Sequence, residues 1–227
     1  MDILETIEIG GGERPDGTVI WLHGLGADGH DFEPIVAELK LDQYADIRFV
    51  FPHAPVRPVT INGGMPMRAW YDIISLDRDG PQDEVGIRDS AAALKQLVEH
   101  EHDRGIDYDR IVLTGFSQGG AIAIHTAIRF PERLAGLMAL STWIPLESTI
   151  DTEVIQISDS QPRDLPVLIA HGSFDPILPI SAGQHARDIM RKVGFEVQWH
   201  DYPMAHAVCA EEIVEIRKWL LNIFSNF

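Results

Sequence analysis

The stretch RIVLTGFSQGGAIAIHTAI, residues 110–128, holds two apolar runs that meet at a serine between glycines. The first run, 110–115, is typical of a buried strand, and the second, 121–128, favours a buried helix. The letters GFSQG between them match G-x-S-x-G, a sharp strand-to-helix turn that exposes a serine hydroxyl. Ser117 is therefore a candidate nucleophile, and the alternative is a helix entry without chemistry.

Strand-like runs and helical patterns alternate through the rest of the chain. Apolar strands are predicted at 18–23, 47–51, 110–115, 134–140, 166–171 and 195–202, and 3–9 alternates like an edge strand. Further helices are predicted at 84–104, 180–193 and 208–223. Such alternation with short connections predicts an α/β protein whose mainly parallel sheet is covered by helices on both faces.

Length and charge limit what the chain does. Its 227 residues fit a single domain over 1–227, without an internal repeat or a dividing linker. The formal net charge of −17 repels phosphate backbones, so no nucleic-acid partner is expected. The sequence contains no run of about 18 uncharged apolar residues, the length needed to cross a membrane. The first ten residues lack the pattern of a secretory signal. The lone cysteine, Cys209, suits a reducing compartment, so a cytoplasmic location is expected.

The segment 52–81 interrupts the alternation. It contains five prolines and three glycines, and its Met65, Met67, Trp70 and Tyr71 look exposed. Long ordered loops in compact domains are often lids or binding loops. We therefore predict that this segment forms part of a substrate site, and the alternative is that it only folds down on the core.

A nucleophilic serine needs a base, and the base needs an acid that orients it. Three histidines follow residue 172, and His185 and His200 fall inside a predicted helix and a predicted strand. His206 lies in the loop YPMAHAVC after the last strand, where an imidazole can reach over the turn. His206 is therefore the predicted base, and the alternative is a solvent-exposed loop histidine.

The acid should follow another strand. Asp175, in HGSFDPILP, is the best placed, although it could instead cap the turn before the next helix. The other aspartates considered precede that strand, or lie on a helix or at the end of the last strand: Asp159, Asp164, Asp188 and Asp201.

An oxyanion formed at Ser117 needs two N–H donors. Gln118 follows the nucleophile, and the second donor is expected in the loop after an early strand. In the loop WLHGLGADGHD, glycines on both sides of Leu25 allow its N–H to turn inward.

Two other chemistries were considered. His23, His30 and Asp31 lack H-E-x-x-H spacing, so no metal site is predicted. Cys209 could act as a thiol nucleophile, but its helical pattern favours a packed cysteine.

Several motifs together resemble the phospholipase/carboxylesterase family, which includes acyl-protein thioesterases and small carboxylesterases. They are HGLGADGHDF, APVRPVTINGG, WYDI, GFSQGGAIA, LAGLMALSTWIP and HGSFDPILP, and they extend over nearly the whole chain. The resemblance implies an α/β-hydrolase fold with Ser117, Asp175 and His206 as a catalytic triad. It implies the backbone N–H groups of Leu25 and Gln118 as the oxyanion hole, and no cofactor.

The resemblance also implies an acyl site. Trp143, Ile177 and the loop before WYDI would line it, and Met65 and Trp70 are the candidate contacts from that loop. Two features depart from the family pattern: the unaligned stretch 147–164, and Arg68, where a small residue is usual. Family members are monomers or homodimers, and both states remain open.

The predicted function is that of a serine carboxylesterase, which hydrolyses carboxylic esters and also thioesters through an acyl-enzyme on Ser117. Its substrate would be a small-molecule or lipid-like acyl ester. The alternative is that an S-acylated protein or a lysophospholipid is the true substrate. A non-catalytic binding protein on the same fold is the alternative from a different functional class.

Overall fold

The computed structural model describes residues 3–75, 77, 80–158 and 164–225. The strands in these ranges are β1 (Thr6–Gly10), β2 (Gly17–Leu22), β3 (Ile47–Pro52), β4 (Val56–Val59), β5 (Met65–Arg68), β6 (Ile111–Phe116), β7 (Gly136–Leu140), β8 (Val167–Gly172) and β9 (Val197–Tyr202). The α-helices are α1 (Ile35–Leu39), α2 (Glu84–Asp103), α3 (Gln118–Ala127), α4 (Ile150–Ser158), α5 (Ile180–Lys192) and α6 (Ala210–Ser225).

Seven strands form one sheet in the order β1-β3-β2-β6-β7-β8-β9. The edge strand β1 pairs antiparallel with β3, and the other neighbours are parallel. The six predicted apolar strands are all present, with ends displaced by at most two residues, and the edge strand begins three residues later than predicted. The strand order places the carboxyl ends of β2, β6, β7, β8 and β9 along one edge.

Helices cover both faces of this sheet. α1 and α6 contribute Ile35, Leu39, Ile216 and Leu220 to the core on one face. α2, α3, α4 and α5 contribute apolar side chains to the core on the other face. Strands buried on both sides read as continuous apolar runs, which is why they could be recognised from the sequence. The predicted α/β architecture is confirmed.

The proline-rich segment 52–81 contains an unpredicted element, the antiparallel hairpin of β4 and β5. Met65 on this hairpin is 62% exposed, as expected. Trp70 and Tyr71 are only 1% and 3% exposed, so the expectation that they are exposed is wrong. After β5 the chain turns inward, and Trp70 and Tyr71 pack in the core. Ser90 of α2 donates a hydrogen bond from its hydroxyl to the Trp70 carbonyl.

The unaligned stretch 147–164 begins with a 3₁₀ turn, Glu147–Thr149, and continues as α4. Burial raises the pKa of Glu153 on α4, but hydrogen bonds from Arg129, Arg88 and Thr149 outweigh it and lower the pKa to about 2. This carboxylate therefore ties α4 to α2 and to the end of α3. Asp159 lies outside the described residues.

Candidate active site

Ser117 occupies a backbone conformation that L-residues rarely adopt, with φ 54° and ψ −120°. The flanking glycines permit the turn. A Cβ on Gly115 would collide with the backbone of Gly119, and a Cβ on Gly119 would lie 2.5 Å from the carbonyl oxygens of Leu22 and His23. The turn therefore exists only because two close backbone approaches are free of side chains.

Hydrogen bonds on both sides fix the serine between β6 and α3. Its N–H donates to the Leu140 carbonyl at 2.9 Å, and its carbonyl accepts from the Thr142 hydroxyl at 2.6 Å. Because α3 begins at Gln118, its first N–H groups have no partners within the helix and carry positive potential. This helix end favours a negative charge beside the serine.

The structure brings Asp175 and His206 together at the carboxyl ends of β8 and β9. Asp175 Oδ2 lies 2.6 Å from His206 Nδ1. Its Oδ1 accepts from the N–H groups of Ile177 at 2.9 Å and Leu178 at 2.8 Å. Burial raises the pKa of Asp175, but these hydrogen bonds outweigh it and hold the pKa below 3.8. Asp175 is therefore a carboxylate at neutral pH and favours the His206 tautomer with the proton on Nδ1, which leaves Nε2 free to accept a proton.

His206 lies beside the serine turn. The ring centroids of His206 and Phe116, the residue before the serine, are 4.7 Å apart. The other two late histidines lie elsewhere: His185 contacts Glu147 at 2.6 Å, and His200 lies 4.0 Å from Glu215. Of these three histidines, only His206 combines proximity to the turn with an acidic partner.

The loop after β2 also approaches the serine. A Cβ on Gly24 would lie 3.6 Å from Ser117 Cβ. Leu25 follows, half-buried, and Gly26 has a φ of 79°. The backbone of Leu25 is therefore adjacent to the serine, as an oxyanion donor must be.

A cavity of about 670 Å³ lies beside these residues. Its apolar walls include Tyr71, Ile73, Trp143, Ile144 and Leu178. Ser117, Asp175 and His206 are not among its lining residues, but two lining residues are neighbours of the site: Trp143 follows the threonine bonded to the serine carbonyl, and Leu178 donates to Asp175.

The residues predicted for the acyl site have different surroundings. Trp143 lines the cavity. Met65 and Ile177 are each 62% exposed and do not line it. Trp70 is buried and is not part of the lining either.

The model of the phospholipase/carboxylesterase family matches residues 5–223. The chain belongs to this family. It is 36% identical to acyl-protein thioesterase 1 of Cryptococcus neoformans over an alignment of 236 positions, which covers 96% of this chain and 97% of that protein. It is 37% identical to acyl-protein thioesterase 1 of Mycosarcoma maydis over 240 residues, 98% of each chain. The crystal structure of Zea mays acyl-protein thioesterase 2 has a TM-score of 0.86 and 29% identity, with 97% of this chain and 99% of that chain covered.

As a member of the phospholipase/carboxylesterase family, the chain is a serine hydrolase of carboxylic esters, as its motifs predicted. Family membership gives no support to a non-catalytic binding protein. Within the described residues, no group of three or more His, Cys, Asp or Glu side chains could hold a metal ion. The same residues include no helix long and apolar enough to cross a membrane.

Local sequence pattern does not indicate the roles of two buried residues beside the site. It points to His23 only as a possible metal ligand and to Trp70 only as an acyl contact. Both form hydrogen bonds to the loop after β2 or to Gln118. The partners of Trp70 lie 47 and 48 residues away in the chain, so local pattern could not reveal them.

Proposed function

We propose that this enzyme hydrolyses acyl thioesters and carboxylic esters through a covalent acyl-enzyme on Ser117. The observation that carries the proposal is the Asp175–His206 pair, 2.6 Å between oxygen and nitrogen, beside a serine on a strained turn. A serine hydroxyl is a weak nucleophile alone, and a neutral imidazole oriented by a carboxylate activates it.

In the first half-reaction, Ser117 Oγ attacks the acyl carbonyl carbon while His206 Nε2 accepts the hydroxyl proton. The backbone N–H groups of Leu25 and Gln118 donate to the negatively charged oxygen of the tetrahedral intermediate. Asp175 remains ionised and stabilises the positive imidazolium. His206 then returns the proton to the departing thiolate or alkoxide, which leaves the acyl group on the serine.

In the second half-reaction, His206 removes a proton from water, and the resulting hydroxide attacks the acyl-enzyme. The same two N–H groups stabilise the second intermediate. When this intermediate collapses, His206 protonates Ser117 Oγ and the free acid departs. These steps require no cofactor.

The cavity beside Trp143 and Leu178 is a suitable place for the acyl chain, because part of its wall is apolar. The same cavity carries one lysine, Lys192, and a larger number of acidic side chains: Asp72, Asp77, Glu147 and Asp151. Together with the net charge of −17, these acids disfavour a phosphate-bearing head group. An S-acylated cysteine of a protein is therefore a better substrate class than a lysophospholipid. The similarity to two proteins named acyl-protein thioesterase 1 supports the same choice.

For the cellular setting we propose the cytoplasm. The single cysteine suits a cytoplasmic enzyme, and a monomer and a homodimer both remain compatible with the proposal.

The test compares three substrates with a matched acyl chain: an S-acyl peptide, an aryl ester and the anionic lysophosphatidylglycerol. The wild type should hydrolyse the first two, and the lysophospholipid should be the slowest. His206→Ala should lower kcat/KM on the order of 10⁴-fold or more. The matched control, His200→Ala, should stay within a few-fold of wild type, because His200 lies against Glu215. A His206→Ala enzyme with most of its activity would overturn the mechanism, and a preference for the lysophospholipid would overturn the substrate class.

A further inference from the structure

His23 directly follows β2 and is only 1% exposed. Its Nε2 accepts a hydrogen bond from the Ala54 N–H at 3.1 Å, which requires the ring proton to be on Nδ1. Nδ1 lies 2.7 Å from the Gly24 carbonyl oxygen and therefore donates to it. Burial lowers the pKa of His23 to about 4, so the ring keeps this neutral tautomer at neutral pH.

The bond to Gly24 has a direct consequence for Leu25. The Gly24 carbonyl and the Leu25 N–H belong to one trans peptide plane, in which C=O and N–H point in opposite directions. Fixing the carbonyl against His23 therefore fixes the direction of the Leu25 N–H. On the other side of Leu25, the Gly26 N–H donates to the Arg68 carbonyl at 2.8 Å. The proposed oxyanion donor is thus held between two anchored neighbours.

Trp70 connects this loop to the second oxyanion donor. Its indole N–H donates to the His23 carbonyl at 2.8 Å, and its ring centroid is 5.2 Å from that of His23. Its backbone N–H donates to Gln118 Oε1 at 2.9 Å. Gln118 Nε2 returns a bond to the Tyr71 carbonyl at 2.7 Å. One buried tryptophan therefore bonds to the backbone beside Leu25 and to the side chain of Gln118, the two residues that supply N–H groups to the oxyanion.

We infer that His23 and Trp70 are positioning residues that hold the Leu25 and Gln118 N–H groups in place for the oxyanion. The inference rests on the proposed function. Neither residue has to touch the substrate, because they act through the Gly24 and His23 carbonyls and the Gln118 side chain to which they bond. Hydrogen bonds at sites this buried are strong, and a buried carbonyl that loses its donor is costly. Removing one oxyanion donor outright costs about 10²–10³-fold in kcat, so displacing one should cost about 10- to 100-fold.

The first pair of variants isolates the indole N–H. Trp70→Phe keeps an aromatic ring but removes the donor to the His23 carbonyl. The matched control is Trp21→Phe, since Trp21 is equally buried at 1% exposed and its indole nitrogen has no hydrogen-bond partner among the described residues. Both changes remove similar buried area, so only a positioning role makes them differ in catalysis.

The second pair isolates the ring nitrogen that bonds to Gly24. His23→Asn places an amide nitrogen near the position of Nδ1 and can still donate to the Gly24 carbonyl, whereas His23→Leu cannot. Both lose the acceptor for the Ala54 N–H. His23→Asn should therefore retain at least about threefold more activity than His23→Leu, because the free energy of one hydrogen bond corresponds to a factor of about this size. Equal activity of the two would contradict the role of His23.

The decisive readout is the affinity for a trifluoromethyl ketone, compared with that for the matching methyl ketone. Addition of Ser117 Oγ to the fluorinated carbonyl forms a C–O bond and a negatively charged oxygen, while His206 takes the proton. Trp70→Phe should lower kcat and weaken trifluoromethyl ketone binding about 10- to 100-fold. KM and the affinity for the methyl ketone should change less than about threefold, because neither substrate binding nor methyl ketone binding produces a negatively charged oxygen.

Thermal unfolding first establishes that each variant is folded at the assay temperature. If Trp70→Phe keeps the kcat and ketone affinity of Trp21→Phe, the inference fails and the proposed function stands. The inference also fails if both ketones lose affinity equally, because the whole site has then been disturbed. If wild type itself forms no adduct with the trifluoromethyl ketone, the proposed function fails as well.

Discussion

The backbone of Ser117 provides a test of the turn that is independent of turnover. With φ 54° and ψ −120°, the residue lies outside the regions open to L-residues, and only glycine adopts such angles freely. Ser117→Gly should therefore relieve strain that Ser117→Ala retains, because alanine keeps the Cβ. Both variants lose the hydroxyl, so the comparison between them isolates the backbone.

The magnitude follows from two opposing terms. Holding a residue in a sparsely populated φ/ψ region costs on the order of 1–3 kcal/mol. Glycine recovers this but loses more conformational entropy on folding, about 0.5–1 kcal/mol relative to alanine. Ser117→Gly should thus exceed Ser117→Ala in free energy of unfolding by up to about 2.5 kcal/mol. For a chain of this size that corresponds to a Tm higher by up to about 10 °C.

Urea and thermal unfolding of the two variants measure this difference, and both should lack esterase activity. The control is Ala92→Gly, at an exposed position of α2 where glycine should lower stability by about 1 kcal/mol relative to alanine. If Ser117→Gly unfolds at or below the midpoint of Ser117→Ala, the turn is not strained, and the argument for a serine held in a costly conformation is refuted.

Two other predictions concern the cavity and a buried carboxylate. Trp143→Ala should lower kcat/KM more for long acyl chains than for acetate in a C2 to C10 ester series, because each buried methylene contributes up to about 0.8 kcal/mol. Equal losses at every length would show that Trp143 does not contact the chain. Burial raises the pKa of Glu212 from 4.5 to about 8, so its contribution to stability is complete below about pH 4.5 and is lost as the pH rises to about 8. In urea unfolding at pH 5, 7 and 9, the free energy of unfolding of Glu212→Gln should rise relative to that of wild type as the pH increases. The total rise should be several kcal/mol, because each unit of pKa shift corresponds to about 1.4 kcal/mol. Parallel pH dependences of the two proteins would contradict this.

The sheet could be predicted because its strands leave little ambiguity. β2, β3 and β6 are buried on both faces, and burial admits almost only apolar residues. The serine turn could be predicted because two close backbone contacts require glycine at fixed positions around it. Asp175 and His206 were found by the rule that functional loops follow the carboxyl ends of parallel strands.

The hairpin β4–β5 could not be predicted, because its strands of four residues contain Pro58 and Pro66, which normally argue against a strand. These prolines face each other in the register, where two missing donors cost the hairpin little. The burial of Trp70 was missed for a related reason: in a segment without periodicity, the sequence does not indicate which side chains turn inward. That direction is set by contacts with His23, Ser90 and Gln118, all distant in the chain.

The central claim is that Ser117 forms a covalent acyl-enzyme, and covalent labelling tests it most directly. The protein is treated with a fluorophosphonate ester, and the adduct is located by intact mass and peptide mapping. We expect one adduct per chain, on Ser117, no adduct in Ser117→Ala, and loss of esterase activity in proportion to labelling. An adduct on Cys209 or any other residue, or an active enzyme that takes no label, would contradict it.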